Sequence, residues 1–108
     1  MTLNPPPVVE SALDAIGNTP LIKLNRLVPE GSADVYVKLE SFNPTGSKKD
    51  RMALAMIEGA EKRGELRPGM SVVEYSGGST GAALALVCAV KGYHFHIISA
   101  DCFGKEKL

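Results

Sequence analysis

The strongest constraint on this chain is an alternation of patterns that begins at Asp34. Val35-Tyr36-Val37-Lys38-Leu39-Glu40 sets apolar residues at every second position, the period of a β-strand. Lys48–Arg63 then changes to helical spacing: Met52, Met56 and Ala60 sit four apart, with Ala53 and Ile57 on the same side. Ser71–Tyr75 returns to strand composition, Ser79–Lys91 reads as an Ala- and Leu-rich helix, and Tyr93–Ser99 as a third strand. Ser47 is a good N-cap for the first helix, and Gly64 and Gly92 stand where the helices should stop. The order β-α-β-α-β with short connections predicts parallel strands joined by right-handed helical crossovers, in a three-layer α/β architecture.

The residues before Asp34 are less regular. Pro5, Pro6 and Pro7 favour an extended arm over residues 1–8. In the segment 9–33, a short helical turn over Glu10–Ile16 ends at Gly17. The turn signal Asn18-Thr19-Pro20 and the alternating run Leu21–Leu24 follow, and Pro29, Gly31 and Ser32 make a loop. The expected organisation is therefore a single partial domain, with arm 1–8, segment 9–33 and unit 34–108. Twelve basic and twelve acidic residues give zero formal charge, which argues against binding a nucleic-acid backbone. No apolar run approaches the length of a membrane span, and the N-terminus lacks a signal-peptide layout. Two cysteines, Cys88 and Cys102, make no disulfide framework and no metal-ligand spacing, so a reduced, cytoplasmic setting is expected.

Chemistry in parallel α/β sheets gathers where strand ends meet helix starts. The loop Asn43-Pro44-Thr45-Gly46-Ser47-Lys48-Lys49-Asp50-Arg51 opens a helix with three cations, against the preference of the helix dipole for acids. They are either solvated surface charge partly balanced by Asp50, or an amine held partly deprotonated and nucleophilic toward a carbonyl. The loop Ser76-Gly77-Gly78-Ser79-Thr80-Gly81 combines glycines with the free N–H groups of a helix start, a seat for an anion or a plain tight turn. It matches neither the dinucleotide fingerprint nor a Walker A run. His94 and His96 alternate along one strand without a third ligand, so no metal site is expected. Glu40 and Glu74 end strands, where a structural role is favoured over acid–base chemistry.

Three motifs in register, Ile16-Gly17-Asn18-Thr19-Pro20-Leu21, Asn43-Pro44-x-x-Ser47-x-Lys49-Asp50-Arg51 and Ser76–Gly81, resemble the fold-type II pyridoxal-phosphate enzymes of the cysteine synthase and cystathionine β-synthase group. The resemblance runs from about Leu13 to Leu108. It implies that Lys49 is the Schiff-base lysine for pyridoxal 5'-phosphate and the base at the substrate Cα, with Lys48 at a variable position. It implies that Ser76, Gly77, Gly78, Ser79 and Thr80 hold the α-carboxylate of an amino-acid substrate, with Ser79 also at the cofactor. The usual loop of such enzymes reads Thr-Ser-Gly-Asn-Thr-Gly, so Ser79 replaces an Asn expected at the cofactor ring.

The implied activity is β-replacement of the cysteine-forming kind, O-acetylserine plus sulfide, by a protein expected to be a homodimer when complete. The alternatives are a serine/threonine dehydratase-like lyase and an inactive chain acting only as a binding module. Such enzymes have a phosphate-binding glycine loop and a pyridine-nitrogen partner far downstream. The chain is therefore expected to be an N-terminal portion that is inactive alone.

Overall fold

The computed structural model describes residues 7–107. The arm expected over 1–8 lies outside the described residues except for Pro7 and Val8. A capped 3₁₀ turn, Ala12–Ala15, stands where the short helical turn was expected, with Ser11 Oγ accepting from the Leu13 N–H at 3.2 Å. The regular elements that follow are β1 (Leu21–Lys23), β2 (Tyr36–Lys38), α1 (Lys49–Lys62), β3 (Ser71–Tyr75), α2 (Ser79–Lys91) and β4 (His94–Ile98). Gly64 and Gly92, both at positive φ, follow the two helices.

The α/β class with a parallel sheet is present, but its membership differs from the sequence reading. β3 and β4 pair in parallel, Ser71 opposite His94 through Tyr75 opposite Ile98, joined by α2 as the crossover. The expected first parallel strand, 35–40, is instead the short β2, which pairs antiparallel with β1, Leu21 opposite Lys38. The reason is pairing: alternation marks a strand without naming its partner, and the preceding run Leu21–Lys23 takes Tyr36–Lys38 into an antiparallel ladder. Backbone bonds from Leu39 N–H to the Pro20 carbonyl (2.9 Å) and from Leu24 N–H to the Val35 carbonyl (2.9 Å) lock the ribbon at its two ends.

The core lies between α1, α2 and one face of the parallel sheet: Ala53, Ile57, Ala83, Leu84, Val87 and Cys88, with Val72 and Phe95 packed against it. Cys88 behaves as a small apolar side chain, and burial pushes its thiol pKa up. The buried face of α1 is Asp50, Ala53 and Ile57, not the row Met52, Met56 and Ala60. Those three border an open apolar hollow of about 670 Å³ beside β3. The apolar pattern on α1 is therefore wider than the face that the core uses. On the other sheet face Ser71, Val73, Tyr75, His94, His96 and Ile98 are exposed. Accordingly, the accessible surface is 8054 Å², well above the roughly 5,800 Å² that size scaling assigns to a compact chain of this mass. Among the described residues no helix is long and apolar enough to cross a membrane.

Candidate functional site

Lys49 is the first residue of α1. The N-cap position is Lys48, with no side-chain cap bond, and not Ser47 as the sequence pattern suggested; Ser47 stands one residue earlier, where its Oγ accepts the Lys49 N–H at 3.1 Å. Around it, the polar residues of the two flanking motifs satisfy one another. Asp50 is fully buried, and its carboxylate takes the Thr45 backbone N–H at 2.8 Å together with the Thr45 hydroxyl. Arg51 donates through Nε to Glu40 Oε1 at 2.5 Å and through Nη2 to Thr19 Oγ1 at 3.1 Å. The buried Thr19 hydroxyl donates in turn to Glu40 Oε2. Buried Asn43 accepts the Gly17 N–H at 2.8 Å and donates to the Glu40 carbonyl at 2.9 Å. Lys38 Nζ reaches the Thr19 carbonyl at 3.0 Å.

This web ties the Gly17–Thr19 turn, the end of β2 and the start of α1 into one unit. The Arg51 guanidinium, and then the Thr19 hydroxyl, hold the Glu40 carboxyl down at about 2. Glu40 is thus a structural partner, although it opens the 3₁₀ turn Glu40–Phe42 and does not end a strand as expected. Asp50, read as a surface counter-charge, is instead a buried acceptor. The signals that could have found the web were Asn18-Thr19-Pro20 and Asn43-Pro44, which the sequence marks only as turns.

Lys49 is treated differently from its neighbours. Its side chain is half-buried, Lys48 is exposed, and among the described residues no carboxylate pairs with either. With Lys38, Glu40, Lys48, Arg51 and Met52, Lys49 lines a hollow of about 620 Å³. An amine on a hollow, without a counter-ion and set on a fixed helix start, suits a covalent or proton-transfer role.

The glycine-rich loop is built by close approach. Ser76 ends the sheet: its N–H reaches the Ile98 carbonyl at 2.9 Å, and its buried Oγ accepts the N–H of Gly78 (3.2 Å) and Gly81 (3.1 Å). Its hydroxyl oxygen therefore caps α2. Helix geometry leaves the N–H groups of Ser79 and Thr80 without intrahelical partners. A Cβ on Gly81 would stand 2.3 Å from Ile97 Cδ1, so glycine lets α2 lie close on β4. Ser76, Gly77, Gly78, Ser79 and Thr80 line a hollow of about 460 Å³ with Phe103, a residue the sequence reading did not single out. The structure brings these five loop residues together. It places Lys49 on a separate hollow with no lining residue in common.

His94 and His96 are exposed on one face of β4, and no group of three or more potential metal ligands occurs among the described residues.

Comparison with known proteins gives a family. Residues 12–108 match the model "Pyridoxal-phosphate dependent enzyme". A cysteine synthase of Staphylococcus aureus is 55% identical over 99 residues, 92% of this chain and 32% of that protein. The O-ureido-L-serine synthase of Streptomyces lavendulae is 48% identical over 101 residues, 94% of this chain and 31% of that protein. The crystal structure of a hydrogen sulfide-producing enzyme from Fusobacterium nucleatum superposes with a TM-score of 0.86 at 43% identity, covering 94% of this chain and 33% of that one. The chain thus spans about a third of the length of the relatives it matches.

Proposed function

The chain belongs to the pyridoxal-phosphate dependent enzyme family, and from that premise we propose that it is the N-terminal portion of a β-replacement enzyme that makes cysteine or a close relative. The observation that carries the reading is Lys49: half-buried on its hollow with no counter-ion among the described residues, inside a motif whose buried polar side chains are all engaged. That donor set fits pyridoxal 5'-phosphate, because Schiff-base chemistry needs a lysine amine that is not committed to an ion pair. When bound, the cofactor supplies an electron sink for the pair left behind as the Cα proton departs.

The chain's own residues have two tasks in this reading. Lys49 Nζ takes the Cα proton and is steadied by the Ser47, Asp50 and Arg51 contacts at the base of its helix. The loop from Ser76 to Thr80 receives the substrate α-carboxylate on the orphan N–H groups of α2, where the positive end of the helix dipole favours an anion. Ser79, the exposed first residue of α2, offers a hydroxyl to the cofactor in place of the Asn of the usual loop. We extend the reading to a homodimeric cytoplasmic enzyme whose remaining cofactor contacts lie outside residues 1–108, so that these residues do not catalyse alone. Light scattering of the complete protein tests the dimer.

Product analysis tests the function. The complete protein should convert O-acetylserine and sulfide to cysteine and acetate. Lys49→Ala should lower that rate by about 10²–10⁴-fold, the range for removing a general base. Formation of a keto acid and ammonia instead of cysteine would make the protein a dehydratase-like lyase. Unchanged activity in Lys49→Ala would overturn the assignment of Lys49.

A further inference from the structure

Gly77 is not among the glycines at positive φ, so no left-handed turn requires glycine there. Its reason is a neighbour. A Cβ built on Gly77 would fall 2.1 Å from Phe103 Cγ and 2.3 and 2.4 Å from the two Cδ atoms, so the ring lies over the space where a side chain would stand. The turn that carries the ring is closed by the Phe103 N–H on the Ala100 carbonyl at 3.2 Å. The ring also packs on Tyr75, with centroids 5.9 Å apart at 51°. Among the described residues it is the one wall of the Ser76–Thr80 hollow that the loop does not supply.

We propose that Phe103 is a specificity-determining residue: an apolar wall, fitted to a side-chain-free residue 77, that admits amino acids with an uncharged β-substituent and rejects charged ones. This rests on the loop being the carboxylate seat. The hollow then has a polar floor of N–H and hydroxyl groups and an aromatic side. A carboxylate on that floor lays its carbon chain against the ring, which excludes water there and strengthens the floor's hydrogen bonds. A second charge on that chain would lose its water against the ring and gain no partner.

The test uses the complete holoenzyme, with the affinities of O-acetyl-L-serine and O-phospho-L-serine read from cofactor absorbance and the Tm of each ligand-free protein. The unmodified protein should favour the acetyl ester by at least about tenfold, a difference of about 1.4 kcal/mol. Phe103→Ala should shrink that preference to within about threefold, and Phe103→Leu, still apolar, should keep most of it. Gly77→Ala should lower Tm and weaken both ligands, and Gly77→Ala combined with Phe103→Ala should regain most of the Tm, because the methyl then has room. An unchanged preference in Phe103→Ala, or equal Tm in Gly77→Ala and the double variant, overturns the proposal. If the unmodified protein binds neither ester, the carboxylate seat itself is wrong, and the wall falls with it.

Discussion

The two loops that carry the candidate chemistry are fixed in opposite ways. The Lys49 loop is held by side chains: Asp50 on Thr45, Arg51 on Glu40 and Thr19, Asn43 on Gly17. The Ser76–Gly81 loop is held by the absence of side chains, with Phe103 over Gly77 and Ile97 against Gly81, and by one hydroxyl, Ser76 Oγ. A polar web of this kind fails when an acceptor is deleted or protonated. A close-packed turn fails when a methyl is added. The difference follows from the two tasks: an amine needs a rigid base and an open tip, whereas an anion needs bare backbone within reach.

Deleting the buried acceptor should have the largest effect. Asp50→Ala strands the Thr45 N–H and hydroxyl and should cost about 3 kcal/mol in chemical denaturation, the upper range for bonds to a charged group. Amide exchange should rise over residues 43–51 and stay unchanged over residues 76–92. Equal loosening of both loops would mean that they are not held independently.

The converse variant, Ser76→Ala, removes the one polar tie of the second loop. It should cost about 1 kcal/mol, a typical capping loss, and raise exchange at Gly78 and Gly81 while leaving the Lys49 loop quiet.

The pH response should be the smallest of these effects, because Glu40 and Arg51 are partly exposed and screened. The Glu40 carboxyl sits at about 2 against an ordinary 4.5. Its contribution is therefore complete above pH 4.5 and is lost as the pH falls from there toward 2. Glu40→Gln should flatten that part of the acid limb, read by denaturation between pH 2 and 6. An identical limb in both proteins would remove Glu40 from the web.

Much of this was legible beforehand, and the gaps have physical causes. β3 and α2 have the bounds expected from the sequence: Gly78 and Gly92 directly flank α2, and Gly69 and Gly77 stand two residues outside β3. The pairing of β2 with β1 was not legible. Alternation marks a strand but does not name its partner, and the exposed Lys38 and the Pro20 carbonyl settle that in three dimensions. Lys49 and the glycine loop could be picked out as chemically odd. The contacts that support them, Thr19–Glu40–Arg51 and Gly77–Phe103, join residues between 11 and 32 positions apart, and no local pattern encodes such distances.

The central claim is that the helix start presents Lys49, and not its neighbour, to a carbonyl cofactor. Borohydride reduction of the complete protein loaded with pyridoxal phosphate, followed by peptide mapping, tests it most directly. The expected result is a single reduced adduct on Lys49, with Lys48 unmodified. An adduct on Lys48, or none on this peptide, would contradict it.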